Sequence, residues 1–287
     1  MMIYLESLGC SRNQVDSEIM LGKLAAAGHS ITDDPSSARV IIVNTCGFIS
    51  TASDEAVDVI LEMAEFKKTG ACERLIATGC LAQRYKDDPD LVSTLPEVDA
   101  FLGTGACDWI VEAVENRLGQ PLVLFPDPGE RRFQNLDEKR VLSGAPFAFV
   151  KVSEGCNRKC TYCIIPALRG TQRSRPLEDI CKESEQLVSQ GVREIILTAE
   201  NTTDYGQDLK DGTGFDQVLS ALSQTLESSG AWIRFLYTHP RTLTLEVIQT
   251  AASRSNICSY YDVPIQHAST PLLKKMGRPY TNADLIR

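Results

Sequence analysis

Short apolar runs alternate with longer stretches of helical periodicity over the first third of the chain. Residues 3–8 and 40–44, the latter Val-Ile-Ile-Val-Asn, predict strands, with 75–78 and 100–102 as a third and a fourth. Apolar positions recur at helical spacing over about 15–27, 52–67 and 109–118. βα units of this length predict a parallel, doubly wound sheet, whose strand C-termini open onto the one edge where ligands bind. The rhythm breaks across 120–146. There Pro121, Pro126, Pro128, Gly129, Gly144 and Pro146 flank a mixed charge run from Glu130 to Arg140, which predicts a connector with one short hairpin and a solvated set of charges. From Phe147 the alternation returns, with strands at 149–152, 194–198, 233–238 and 260–264. Helices are predicted at 177–190, 215–226, 245–253 and near 271–276, and another begins at 282. The expected plan is an α/β chain with one domain at 1–125, a connector at 126–146 and a second domain at 147–287.

Composition narrows the function classes. A hydrophobic content of 43% with 23% charged residues fits a soluble globular chain with a substantial core. No apolar run approaches the ~20 residues that span a bilayer, and the start at Met1-Met2-Ile3 carries no basic leader. A net charge of −9 argues against a basic nucleic-acid face, so no dedicated nucleic-acid site is expected. The ten cysteines then carry the most information. In a cytoplasmic α/β protein, reduced cysteines point to metal or catalysis rather than to bridges.

Three of them, Cys156, Cys160 and Cys163, fall within eight residues at C-x3-C-x2-C spacing, directly after a predicted strand. Thiolates this close select zinc, copper(I) or an iron–sulfur cluster. Zinc wants four ligands in paired units, and no second pair or near histidine is present. A cubane cluster also has four ligand positions, so three thiolates leave one iron open to a small molecule. Three more cysteines, Cys10, Cys46 and Cys80, each follow one of the first three strands almost at once. A doubly wound sheet brings them to one edge, and Gly9, Gly47 and Gly79 beside them leave room for a cofactor. Cys72, Cys107, Cys181 and Cys258 have no such address and read as core filler. Glu200, His239, Gln266 and His267 sit at the carboxyl ends of strands, an active-site position. Arg169, Arg173 and Arg175 are either anchors for a carboxylate or substrate backbone, or surface charge.

The cysteine loop, with Tyr162 before its last cysteine, resembles the radical S-adenosylmethionine (SAM) enzymes. That resemblance implies a radical SAM (β/α) barrel in the second domain and a 4Fe-4S cluster on Cys156, Cys160 and Cys163. It also implies SAM on the open iron, and a SAM or substrate pocket lined by Tyr162, Glu200 and Gln266. The stretch from Gly9 to Glu18, with Asn44-Thr45-Cys46-Gly47-Phe48 and Thr78-Gly79-Cys80, is similar to the N-terminal domain of the methylthiotransferases. By that likeness Cys10, Cys46 and Cys80 hold an auxiliary 4Fe-4S cluster.

Leu8-Gly9-Cys10-Ser11-Arg12-Asn13, the run from Glu154 to Cys160, and Thr202-Thr203-Asp204-Tyr205-Gly206 resemble the branch that modifies an aspartate of a small-subunit ribosomal protein. The departures are Asn201, where an aspartate is common, and Gly277-Arg278-Pro279. The implied chemistry is hydrogen abstraction from the aspartate β-carbon by a SAM-derived radical, then methylthio transfer. The implied partners are the ribosomal protein, met free or on the ribosome, and an electron donor. The other branch, acting on an adenosine of transfer RNA, remains open. So do an inactive iron–sulfur fragment, an electron-transfer protein and a zinc-stabilised module. The resembled barrels use six strands where four are predicted here, so the resemblance also implies a C-terminally truncated member with an incomplete barrel.

Overall fold

Residues 1–117, 122–133, 136 and 138–286 are described by a computed structural model. In it the chain divides into two units, 1–143 together with 167–169, and 144–166 together with 170–287. The expected features at Leu118, Gln120, Pro121 and Arg287 lie outside the described residues.

The first unit is built on six parallel strands. These are β1 (Met2–Ser7), β2 (Ser30–Ile31), β3 (Val40–Thr45), β4 (Arg74–Gly79), β5 (Ala100–Leu102) and β6 (Leu122–Leu124), in the order β2-β1-β3-β4-β5-β6. Helices α1 (Ser11–Ala26), α2 (Ser50–Ala64), α3 (Phe66–Thr69), α4 (Cys80–Arg84), α5 (Leu91–Thr94) and α6 (Ile110–Val114) connect them. Successive strand side chains point to opposite faces, and β3 shows the result. Ile41 and Val43 join Ala56, Ile60 and Met63 of α2 in one core cluster. Val40 and Ile42 join Met20 and Leu24 of α1 and Ile110 of α6 in the other. A parallel sheet covered on both faces favours near-continuous apolar runs, which is why the first four residues of β3 are all apolar. The doubly wound expectation holds, with two strands more than predicted. The additions are β2 and β6, of two and three residues.

The charge run after β6 departs from its expected solvated state. Arg140 is 6% exposed and donates Nε–H to Glu18 Oε2 at 3.1 Å. Arg131 donates Nη1–H to Asp16 Oδ1 at 2.7 Å, and the Val141 amide donates to Glu18 O. Helix α1 buries Asp16 and Glu18, and buried carboxylates are costly unless paired, so cations of this run fold onto them. No hairpin forms among the described residues here. β6 extends the sheet instead.

The second unit carries β7 (Phe147–Lys151), a short antiparallel pair β8 (Ser153–Glu154) and β9 (Arg173–Ser174), β10 (Glu194–Thr198) and β11 (Trp232–Phe235). β7, β10 and β11 form a parallel sheet in the order β11-β10-β7. Its helices are α7 (Ile165–Arg169), whose residues 167–169 count with the first unit, and α8 (Leu177–Ser189), α9 (Phe215–Leu226), α10 (Leu245–Ser253), α11 (Thr270–Lys275) and α12 (Asn282–Ile286). The fold is a parallel α/β arrangement of partial-barrel kind.

Two strand expectations need correction. β11 ends at Phe235 rather than 238, and 260–264 forms no regular strand. Tyr237 takes a left-handed φ of +57°, which ends the extended run, and its amide donates to the Asp262 side chain at 2.8 Å. The later segment touches β11 and the residues after it only in places, through Ile233 N–H to Asn256 O, Cys258 N–H to Ile233 O and Thr238 N–H to Asp262 O. Contacts this uneven do not make a ladder. Among the described residues no helix is long and apolar enough to cross a membrane.

Candidate functional site

In the first unit the C-terminal ends of β1, β3 and β4 lead directly into Cys10, Cys46 and Cys80. Cys10 is the N-cap of α1 and Cys80 opens α4. The three loops approach one another as closely as glycine permits. A Cβ on Gly9 would lie 3.0 Å from Cys46 Cβ and 3.3 Å from Cys46 Sγ, and one on Gly47 would lie 2.8 Å from the Cys80 carbonyl. Gly9 also needs its φ of +97°.

Side chains lock the strand ends. Asn13 donates Nδ2–H to Leu8 O and to Thr45 O, both at 2.9 Å, so one amide spans two loops. Asn44 donates Nδ2–H back to Asn13 O and to Ser17 Oγ. Thr45 Oγ1 donates to Thr78 O and accepts from the Leu81 amide. Cys80 Sγ stands 3.8 Å from Asn13 Oδ1 and 3.7 Å from Arg169 Nη2.

In the second unit Cys156, Cys160 and Cys163 lie on the loop after β8. Gly155 (φ +76°) turns the chain, and the Cys156 amide donates to Gly170 O. Arg158 donates Nε–H to Asp204 Oδ2 at 2.7 Å and Nη2–H to Oδ1 at 2.5 Å, a two-pronged pair that holds the loop by its middle. Asp204 also accepts from Thr242 Oγ1 and Gln207 Nε2. Asn157 Oδ1 accepts the Gln172 amide. At the far end, the Thr161 amide donates to Met276 O. Tyr162, 47% exposed, accepts from Arg278 Nε and Nη2 at 3.0 and 2.5 Å.

The electrostatics favour the protonated thiol at two of these cysteines. Burial pushes the Cys156 thiol up to about 11, opposed by the Arg158 amide and reinforced by the negative Glu200. Cys163 is raised by burial too, with Cys160 and Glu200 adding to it. Thiolates there would need compensating positive charge, which a bound metal would supply. Among the described residues, no three His, Cys, Asp or Glu side chains converge as they would on a single ion. A cubane takes each thiolate on a different iron, so its cysteines need not meet at one point. Both triads offer the all-thiolate donor set that a cluster takes, and in the first unit the loops that carry them close on one another.

The remaining expected residues are placed as follows. Glu200 is half-buried just past β10, close enough for its charge to act on Cys156 and Cys163. Gln266 is exposed with a φ of +61°, and among the described residues no hydrogen bond brings it to the cysteine loop. His267 is exposed. His239 is 2% exposed and its ring stands edge-on to Tyr280. Burial and the charges of Arg158 and Arg278 lower His239 to about 4, so its ring is neutral. Its Nδ1 accepts the Arg241 amide, which leaves the proton on Nε2. That buried Nε2 and the Asn201 Nδ2 have no partner among the described residues. Cys72 and Cys107 are buried as core filler, whereas Cys181 and Cys258 are half-buried. Arg169 and Arg175 are buried at 3% and 4% and pair with Asp16 and Glu183, so they are internal anchors rather than surface charge. The pairing of Arg158 with Asp204, of Tyr162 with Arg278 and of Asn13 with Thr45 escaped sequence reasoning, because these partners lie far apart along the chain.

A model described as "Uncharacterized protein family UPF0004" matches residues 2–103, and one described as "Radical SAM superfamily" matches 150–287. The "Ribosomal protein uS12 methylthiotransferase RimO" of Desulfosudis oleivorans is 47% identical over 290 residues, covering 100% of this chain and 64% of its own length. The protein of the same name from Clostridioides difficile is 45% identical over 285 residues, covering 99% and 63%. The chain thus spans about 64% of the length of curated relatives it matches. Among solved structures, the radical S-adenosylmethionine methyltransferase TsrM from Kitasatospora setae matches with a TM-score of 0.64 at 14% identity, over 99% of this chain and 64% of that one. The cobalamin-dependent S-adenosylmethionine radical enzyme OxsB matches with a TM-score of 0.65 at 13% identity, over 99% and 46%. These likenesses extend to the fold alone. With whole-chain identity of this order to the uS12 enzymes and a radical SAM match over its second half, the chain belongs to the methylthiotransferase family of radical SAM proteins.

Proposed function

We propose that this protein binds two 4Fe-4S clusters and SAM and adds a methylthio group to the β-carbon of an aspartate in the small-subunit ribosomal protein uS12. The observation that carries the reading is the pair of cysteine triads. Cys156, Cys160 and Cys163 share one anchored loop, while Cys10, Cys46 and Cys80 are gathered from three strand ends by glycines that allow close approach. The names of the relatives support the substrate. SAM at the first cluster supplies a carbon-centred radical, which suits a C–H with no proton acidic enough for a general base. The chain's own residues bind, orient and exclude water. Arg158 and Asp204 fix the cysteine loop, Arg278 fixes Tyr162, and His239 presents a neutral buried N–H. An electron donor is needed, and the setting is the cytoplasm, where ribosomes and reduced thiols coexist.

Anaerobic reconstitution is expected to load about eight irons per chain. Replacing Cys156, Cys160 and Cys163 by Ala removes about half the iron and abolishes SAM cleavage. Replacing Cys10, Cys46 and Cys80 removes the other half while SAM cleavage persists. Full iron in either triple variant would overturn the ligand assignment. Mass spectrometry of a strain lacking the gene should show uS12 without its methylthio mark. Loss of the mark from transfer RNA instead would assign the other branch.

A further inference from the structure

The Cys80 thiol has a charged neighbour that the ligand assignment does not use. Arg169 is 3% exposed and directs its two terminal nitrogens differently. Nη1 donates to Asp16 Oδ2 at 2.7 Å, and Nη2 donates to Asn13 Oδ1 and lies 3.7 Å from Cys80 Sγ. Asp16 is itself held on its other oxygen by Arg131. Asn13, the second partner of Nη2, is pinned through its amide nitrogen to Leu8 O and Thr45 O, the strand ends beside Cys10 and Cys46. The guanidinium is therefore fixed at both nitrogens by buried groups, with one N–H edge turned to a sulfur. Its planar fork suits this double duty, whereas an ammonium would satisfy only part of it. All of these residues belong to the first unit.

We propose that Arg169 is a positioning residue of the auxiliary site, whose N–H to Cys80 Sγ sets the reduction potential of the cluster bound by Cys10, Cys46 and Cys80. The physical ground is general. Hydrogen bonds to cluster sulfurs, and net charge nearby, are what tune iron–sulfur potentials, and such neighbours also orient the ligands. A positive donor stabilises the reduced, more negative cluster, so removing it makes the potential more negative. Asn13 has a part in this, since it holds Nη2 from the other side and stands 3.8 Å from the same sulfur. The proposal rests on the reading of Cys10, Cys46 and Cys80 as cluster ligands, and its test separates the two.

The test uses the full chain carrying Cys156→Ala, Cys160→Ala and Cys163→Ala, so that only the auxiliary cluster contributes signal. In that background Cys80→Ala examines the ligand reading alone, and unchanged iron there would sink that reading whatever Arg169 does. Arg169→Met, Arg169→Lys and Asn13→Asp are then compared by iron content, electron paramagnetic resonance of the reduced cluster and its midpoint potential, with circular dichroism confirming the fold. The expected result has Arg169→Met retaining about four irons, with an altered signal and a more negative potential. Arg169→Lys falls between Arg169→Met and the parent, and Asn13→Asp, which sets a carboxylate beside the sulfur, is more negative than the parent. A parent-like potential and signal in Arg169→Met overturn the proposal. If that variant does not fold, parent-like values in both Arg169→Lys and Asn13→Asp overturn it equally.

Discussion

At the scale of single residues, one ion pair holds the cysteine loop of the second unit at its middle. Asp204 has a side chain only 3% exposed, and it takes both prongs of Arg158, whose own side chain is 21% exposed. Removing one partner of such a pair leaves the other desolvated and uncompensated. Asp204→Ala is therefore expected to cost about 3 kcal/mol by urea denaturation and to lower iron loading at Cys156, Cys160 and Cys163. Wild-type stability in that variant would mean that the ion pair does not hold the loop. His239 gives a second prediction through its pH dependence. Its folded value of about 4 lies below the ordinary 6.5, with burial the largest cause, so the unfolded chain takes up the proton first. Stability is complete above about 6.5 and falls as the pH drops from there toward about 4, on the order of 1 kcal/mol for each unit. His239→Gln should flatten this loss between pH 7 and 5, and an unchanged slope would show that the imidazole is not held neutral. The cysteines were legible in the sequence because their spacing is local or follows strand ends. Asp204 as the partner of Arg158, and Arg278 as the partner of Tyr162, were not, because pairs so distant in sequence carry no local pattern.

At the scale of elements, what could be read and what could not follows from length and cover. β3 and β4 lie between neighbouring strands with both faces buried, and their six residues are apolar enough to announce themselves. β2 and β6 exist only because a neighbouring strand offers hydrogen bonds, and the 260–264 run has strand composition but lacks a regular ladder. There tertiary context overrides propensity. The turn into the cysteine loop is sensitive to a single atom. Gly155 has a φ of +76°, and a Cβ there would lie 2.2 Å from Thr171 O and 2.7 Å from Gly170 O, where β8 and β9 close on each other. Gly155→Ala meets both left-handed strain, roughly 1–2 kcal/mol, and a backbone clash that no side-chain rotation relieves. Iron at Cys156, Cys160 and Cys163 should be lost while that at Cys10, Cys46 and Cys80 is kept, leaving about four per chain. Two intact clusters in Gly155→Ala would show that the loop accepts another path.

At the scale of the whole molecule, the two units differ in how their sheets are covered, and that difference is measurable without any cofactor. In the first, every residue of β3 and β4 is buried, with a core cluster on each face. In the second, β11 carries Trp232 at 60% exposure on its first residue, and the segment beside it makes scattered hydrogen bonds and exposes Tyr260 and Ile265 at 46% and 47%. Amides open with free energies that run from near zero in poorly packed segments to the full stability in core strands. Hydrogen exchange followed by mass spectrometry should therefore find β3 and β4 the slowest peptides of the chain, with 259–268 exchanging first among the described parts of the second unit. β7 and β10 should fall between, since β10 is paired on both sides within a smaller sheet. Protection across 259–268 equal to that of β10 would mean that this segment is held as a true strand, and the four-strand reading of the sequence would then be right where the parallel sheet has three.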